Sequence, residues 1–230
     1  KILTAQAQSF DRLASALAYL DQHELPVVIK ADGLAQGKGV VVATTREEAK
    51  QAVRDSMEHA AFGQAGQRVL IEQFLDGEEL TVMAFTDGRT VVPMLPAQDH
   101  KRVGNGDTGL NTGGMGAYCP APLGTTALRE QVTRQVLYPA VEALSRMGCP
   151  FQGVLYAGLM VVQGMPYVLE FNARMGDPET QVVLPLLKTD FLEVIEAIIE
   201  PRLDQITVDW HNDTAVCVVM ASGGYPGIYQ

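Results

Sequence analysis

The chain has 230 residues, 47% hydrophobic and 19% charged, a globular composition that excludes disordered and low-complexity classes. Lys and Arg number 17 against 27 Asp and Glu, a formal net charge of -10, so there is no general basic surface for a nucleic-acid backbone. Cys119, Cys149 and Cys217 lack Cys-x-x-Cys spacing, no apolar run reaches ~18 residues, and Lys1–Gln6 is not a secretory signal; a soluble, cytoplasmic protein with reduced thiols is expected.

In chain order, Ser9 is placed to cap a helix with Phe10, Leu13, Ala14, Leu17 and Leu20 on one face. Pro26 opens an extended run, Val27–Lys30, then a glycine-rich stretch, residues 32–39, leads into Val40–Val42, a strand by its β-branched content. Thr45 and Glu48 form a capping box for a helix that buries Ala49, Ala52, Val53 and Met57. Val69–Glu72 is a further strand, which makes this block a small α+β lobe. Leu80–Phe85 and Thr90–Leu95 flank the turn signal Asp87-Gly88 and predict a β-hairpin. Residues 98–122 read as one long, glycine-rich irregular loop, of a kind that is functional or disordered. Leu128–Met147 has a helical pattern kinked near Pro139. Strands Val154–Val162 and Tyr167–Asn172 join at Gln163-Gly164, then come a polar loop, helices to about Glu200, and a last strand, Ala215–Ala221. So apolar a strand, with only Ser222–Gln230 after it, predicts a piece of a longer protein.

Four segments carry chemistry. The stretch 32–39 is not a P-loop, because Gly33 and Gly37 are too close and a strand follows. It reads as a hairpin tip whose amides can approach phosphates, with Lys38 and the nearby Lys30 adding charge; a plain surface hairpin stays open here. Glu72-Gln73-Phe74-Leu75 offers backbone groups to an adenine edge, and Glu79 a carboxylate for ribose hydroxyls; a merely solvated strand end is the other reading. Glu170 and Asn172 share a strand face as two hard oxygen donors suited to Mg²⁺, and Arg174 follows at the strand mouth. Gly176–Gln181 then turns into a helix whose N-terminus can help hold an anion. In the fourth segment, Asp99-His100-Lys101-Arg102 supplies charge and Asn111-Thr112-Gly113-Gly114-Met115-Gly116 permits close backbone approach. The intervening Gly104–Gly109 matches G-x-G-x-x-G, but lacks the strand before and the helix after that a dinucleotide site needs.

In this order the segments resemble the ATP-grasp ligases, and among them the phosphoribosylamine–glycine ligase family. The likeness rests on Val28–Ala35 with Gly37–Val40, Glu72–Glu79, Ala97–Arg102, Asn111–Tyr118, Gly153–Met160 and Glu170–Gln181, nearly the whole chain. It implies an α+β ATP-grasp fold of two lobes with ATP between them. Its limits would be 1–25 a lead-in segment and helix, 26–75 a small lid, 76–205 a larger lobe with metal and substrate, and 206–230 the start of a truncated C-terminal domain. The family's N-terminal domain and most of its C-terminal domain are not in this sequence. The implied reaction joins glycine to 5-phosphoribosylamine through glycyl phosphate, in purine biosynthesis. Another ATP-grasp ligase and a nucleotide-binding fragment without turnover are the alternatives.

By the same resemblance, Lys30, Lys38, Gly37 and Gly39 would hold ATP phosphates, with Glu72, Phe74 and Leu75 around adenine and Glu79 on the ribose. Glu170 and Asn172 would hold Mg²⁺ or Mn²⁺. Arg174 and Lys38 would be catalytic, stabilising the transferred phosphoryl group. Asp99, Lys101, Asn111, Thr112, Gly113, Gly114, Met115, Gly116 and Asp177 would line the substrate side. The implied partners are these small molecules and the missing flanking domains, with neither nucleic acid nor membrane. Two features depart from the family pattern: Gly153–Met160 has no acidic residue where many ATP-grasp enzymes place a second metal carboxylate, and Leu110 replaces a usual Pro.

Overall fold

A computed structural model describes residues 1–33, 39–59 and 63–228, without the side chain of Gln64. Two units divide the chain: Ala5–Asp76, and Lys1–Thr4 with Gly77–Gln230. Gly37 and Lys38 lie outside the described residues.

The smaller unit comprises β1 (Ala7–Phe10), α1 (Leu13–Gln22), β2 (Val27–Ala31), β3 (Val40–Ala43), α2 (Arg46–Met57) and β4 (Val69–Gln73). Its strands form an antiparallel sheet in the order β1-β4-β2-β3. Period-two alternation sends Val27, Ile29, Val69 and Ile71 to one face, where Ala16 and Leu20 of α1 and Ala49 and Val53 of α2 pack on them. The register puts Val28, Lys30, Leu70 and Glu72 on the other face, all half-buried. Thr45 and Glu48 make the predicted capping box on α2. Ser9 does not cap α1. It lies in β1 opposite Leu70, and α1 starts at Leu13 after an Arg12 that gives no side-chain cap. Pairing with a strand some sixty residues on took Ala7–Phe10 away from the helix, and no local pattern signals that.

The larger unit is built on a sheet of β5 (Glu78–Thr86), β6 (Val91–Pro93), β11 (Gly153–Val162) and β12 (Met165–Asn172), in the order β12-β11-β5-β6 and antiparallel throughout. Leu80, Val82, Ala84, Leu155, Ala157 and Leu159 face the helical segment 126–146. Met83, Phe85 and Tyr156 face the opposite layer, with α5 (Thr180–Val183) and α6 (Phe191–Ile199). β5 is thus covered on both faces.

The stretch read as an irregular loop instead holds four short strands: β7 (Gln98–Asp99), β8 (Arg102–Gly104), β9 (Thr108–Asn111) and β10 (Gly116–Cys119). β8 and β9 form a hairpin across the G-x-G-x-x-G match, where Gly106, Asp107 and Gly109 take positive φ. Polar, glycine-rich strands this short leave no alternation to read. β10 lies between β7 and β13 (Ala215–Val218), the last strand, which stops short of its predicted end at Ala221.

The long helix is three pieces: α3 (Thr126–Val132), a π-turn at Thr133–Leu137 and α4 (Tyr138–Arg146). Pro139 has no N–H to donate, and just before it the Tyr138 N–H reaches back five residues to the Thr133 carbonyl. The irregularity therefore precedes the proline. At the β11–β12 hairpin Gln163 and Gly164 both take positive φ, as a two-residue turn of primed type requires.

Replacing the α2 cap, Thr45→Ala, leaves the Glu48 N–H without its side-chain acceptor. The expected outcome in denaturant unfolding is a loss of about 1 kcal/mol from the smaller unit. A change within about 0.3 kcal/mol would show that the cap contributes nothing.

Candidate functional site

The site in the larger unit follows from sheet register. Thr81, Gly158 and Glu170 form one row across β5, β11 and β12, and Met83, Tyr156 and Asn172 form the next. All six share the face that holds Met83 and Tyr156. Ala97 exchanges both backbone hydrogen bonds with Thr81, at 2.9 and 3.0 Å. Counting outward from that antiparallel pair sets Asp99 beside Glu79. Lys101, two residues on, ion-pairs with Glu79 and stands 3.8 Å from the Asp99 carboxylate.

The charges in this corner act on one another. Burial pushes the Asp99 carboxyl up to about 6; Lys101 opposes that rise, and the Glu179 and Glu79 carboxylates add to it. Burial works to lower the Lys101 ammonium, but Glu79, Asp99 and Glu170 outweigh it and hold it above its ordinary value. Glu179 is buried and accepts hydrogen bonds at its Oε1 from the Tyr156 hydroxyl at 2.7 Å and the Thr81 hydroxyl at 3.0 Å. Burial and then the Glu179 charge push the Tyr156 phenol upward.

Glu170 and Asn172 project together as the strand pattern predicts. The Asn172 Nδ2 donates to Glu170 Oε1 at 3.3 Å, with Glu170 exposed and Asn172 half-buried. A side chain on the facing Gly158 would press on Glu170: a Cβ there meets its Cγ at 3.3 Å. Among the described residues no three His, Cys, Asp or Glu side chains group as metal ligands. The pair fits a magnesium ion that takes two hard oxygen donors from protein and the rest from phosphate and water. Arg174 is exposed, and its guanidinium donates to the Met175 carbonyl at 2.9 Å.

The glycine-rich segment meets the 176–181 turn. Gly114 is buried at φ +123, and a Cβ on it would overlap Pro178. Thr112 accepts from the Gly114 N–H at 3.0 Å and its own hydroxyl donates to the Lys101 carbonyl at 2.9 Å. Met115 N–H donates to the His100 carbonyl, and Gly113 N–H to the Tyr225 hydroxyl at 3.2 Å. Asn111 is exposed, Gly116 pairs in β10, and Asp177 accepts from the Gln181 amide at 2.7 Å.

In the smaller unit Lys30 ion-pairs with Glu72 at 2.7 Å. The Glu72 carboxylate, expected to sit near adenine, is thus engaged by the lysine expected on phosphates. The Gly39 carbonyl accepts from the Ala31 N–H at 2.9 Å, Phe74 is half-buried and Leu75 is buried. Sequence reasoning missed Thr81, Tyr156 and the role of Glu179. Glu179 stood inside a motif already singled out, and the alternation of β5 and β11 places both hydroxyls on the face that also carries Glu79 and, through the pairing with β12, Glu170.

This arrangement has relatives. The structure of phosphoribosylamine–glycine ligase from Thermotoga maritima superposes with a TM-score of 0.90 at 32% identity, over 100% of this chain and 57% of that one. The biotin carboxylase domain of the 2-oxoglutarate carboxylase of Hydrogenobacter thermophilus, solved with MgADP, ADP and bicarbonate, superposes at 0.70 with 15% identity, over 94% of this chain and 46% of that one, a likeness of fold alone. The fold is of the ATP-grasp class. Residues 1–180 match the phosphoribosylglycinamide synthetase, ATP-grasp (A) domain, and the chain belongs to that family. The phosphoribosylamine–glycine ligase of Synechocystis is 52% identical over 99% of this chain; the chain spans about half, 54%, of that relative's length. No helix of the described residues is long and apolar enough to cross a membrane.

The Asp99 shift makes stability depend on pH. Its folded pKa lies above the 3.8 of the free carboxyl, so its contribution is full below about pH 4 and is lost as pH rises through about 6. Asp99→Asn removes this dependence. In urea unfolding, the wild type is expected to lose stability relative to the variant, on the order of 3 kcal/mol, between about pH 4 and about pH 7. Parallel curves would mean that the Asp99 carboxyl titrates at its ordinary value.

Proposed function

We propose that this chain is the ATP-grasp part of an enzyme that joins glycine to 5-phosphoribosylamine, forming glycinamide ribonucleotide. The observation that carries this reading is the meeting of the 97–116 segment and the 176–181 turn, at Gly114 and Pro178, together with the Glu170–Asn172 pair on β12, the strand that leads into that turn. The 52% identical relative and the 32% identical solved structure, both named as this ligase, support it.

In the proposed reaction a glycine carboxylate oxygen attacks the γ-phosphorus of ATP and the bond to the β-γ bridging oxygen breaks, giving glycyl phosphate and ADP. The amine nitrogen of 5-phosphoribosylamine then attacks the acyl carbon. The carbon–oxygen bond to phosphate breaks, phosphate leaves, and the nitrogen gives up a proton. Neither step needs a nucleophile from the protein, so catalysis rests on alignment and charge neutralisation.

The smaller unit contributes Lys30, Lys38, Gly37 and Gly39 to the phosphates, and Glu72, Phe74 and Leu75 to the adenine. Glu79 takes the ribose hydroxyls. Magnesium or manganese, held by Glu170 and Asn172, would neutralise phosphate charge. Arg174, exposed beside that strand end, is the group to stabilise the transferred phosphoryl. Lys101 holds a positive charge for the anionic substrates, with Asp99 3.8 Å from it, Asp177 on the 176–181 turn, and the 111–116 amides giving close approach.

The test is ADP release. Release that needs both glycine and 5-phosphoribosylamine supports the reading; release with another acid or amine, or ATP binding without release in the full-length protein, overturns it. Glu170→Gln removes one charge while keeping the fold. Mg²⁺-dependent ATP affinity is expected to fall by about 10-fold or more in calorimetric titration. Unchanged Mg-ATP affinity would take Glu170 out of the metal site.

A further inference from the structure

The Glu179 carboxylate is a buried acidic group that the proposed reaction leaves without a task; Asp87 is another, but backbone N–H groups of Arg89, Thr90 and Leu203 satisfy it. Glu179 is 2% exposed, although its neighbours in sequence form a polar turn. Its Oε1, the Tyr156 hydroxyl and the Thr81 hydroxyl form a closed triangle with edges of 2.7, 2.9 and 3.0 Å. Two hydroxyl protons serve three edges, and the carboxylate charge draws both toward itself. The other carboxylate oxygen lies against Gly176, where a Cβ would come within 2.5 Å of it. Gly176 is thus the residue that lets the turn close over its own carboxylate. The Thr180 hydroxyl donates to the Gly176 carbonyl and ties the same turn shut.

This triangle is a fastening between a rigid element and a motif. Thr81 and Tyr156 belong to β5 and β11, the central strands of the larger sheet. Glu179 belongs to the 176–181 turn, and Pro178, its neighbour, is what the buried Gly114 rests on. The order of contact runs from sheet to Glu179, to Pro178, to Gly114, and so to the 111–116 segment. The Glu179 charge also reaches Asp99 and supports its raised pKa.

We propose that Glu179 is a positioning residue for the amine substrate: fastened by Tyr156 and Thr81, it fixes the turn at Pro178 and thereby sets where Gly113, Gly114 and Met115 receive 5-phosphoribosylamine. This deepens the proposed function and rests on it for the identity of the substrate. Glu179 touches neither substrate nor nucleotide in this role.

The test uses the full-length protein with Glu179→Ala, Glu179→Gln and Tyr156→Phe. Glu179→Gln keeps an acceptor oxygen for both hydroxyls. Glu179→Ala is expected to raise KM for 5-phosphoribosylamine about 10-fold or more, with kcat and KM for Mg-ATP within about 2-fold. Glu179→Gln is expected within about 3-fold of wild type, and Tyr156→Phe between the two. Hydrogen exchange gives a readout independent of turnover. The Gly114 and Met115 amides, bonded to Thr112 and His100, should exchange faster in Glu179→Ala while β5 and β11 stay protected. A parallel rise in KM for Mg-ATP, an unchanged KM for 5-phosphoribosylamine, or wild-type protection at Gly114 and Met115 would overturn the assignment. Wild-type protein that does not turn over 5-phosphoribosylamine would sink the proposed function instead, and exchange would still decide what Glu179 holds.

Discussion

The larger unit depends on the alternation of β5 and β11. One face of this strand pair carries Leu80, Val82, Ala84, Leu155, Ala157 and Leu159 into a wholly apolar core. The other begins apolar, at Met83, Phe85 and Tyr156, and becomes polar toward Thr81 and Glu79. Burial of the first face and of the apolar half of the second fixes the register, because a slip of one residue would exchange the two faces. Once the register is fixed, the rows across to β12 follow, and Glu170 and Asn172 have one place to be. The same constraint sets Asp99 beside Glu79 through the Ala97–Thr81 pair. The polar groups need no separate device to converge; the apolar packing behind them does it.

The features legible in the sequence are those whose signal is local. The Thr45–Glu48 box, the Gln163-Gly164 turn and the two-residue spacing of Glu170 and Asn172 each need only a few neighbouring residues. What was not legible depends on distant partners. Ser9 looks like a helix cap until β4 pairs with it, and the pairing of Lys101 with Glu79 shows only when the register brings the two together. Thr81 and Tyr156 have side chains ordinary for strands, and their hydroxyls acquire meaning only when a carboxylate from residue 179 descends on them. The β8–β9 hairpin was lost for another reason: it buries too little to leave an apolar pattern. The resemblance to a family located most candidate residues, but it could not show that Glu72 and Lys30 engage each other.

That ion pair bears on how the smaller unit would bind a nucleotide. Lys30 has about a quarter of its side chain exposed and Glu72 less, so the pair is shielded more than a surface bridge. A triphosphate competing for Lys30 must take the ammonium from a carboxylate already at hydrogen-bond distance. If Lys30 leaves, Glu72 is left with an uncompensated charge in a half-buried place, which costs more than the pair is worth. An arrangement that keeps Lys30 between Glu72 and a phosphate avoids this, because an ammonium has three donors to share. In that arrangement Glu72 would orient the lysine for a phosphate, while the Glu72 backbone is committed to the sheet between Ala7 of β1 and Val28 of β2.

The larger unit poses the inverse problem. Four carboxylates, Glu79, Asp99, Glu170 and Glu179, act on or beside Lys101, in a protein of net charge -10 that is proposed to handle anionic substrates. Such a corner repels phosphate unless its charge is reduced or spoken for. The structure uses two means to do so. Burial raises Asp99 toward protonation, which removes a negative charge as pH falls toward 6, and hydroxyls rather than cations satisfy Glu179, which leaves Lys101 to the others. Glu170 is different: it is exposed, it accepts a hydrogen bond from the Asn172 amide, and turning that amide would present two oxygens together. A divalent cation there would convert the remaining negative charge from an obstacle into a phosphate-binding surface, so the acidity of the site and its proposed substrates are not in conflict.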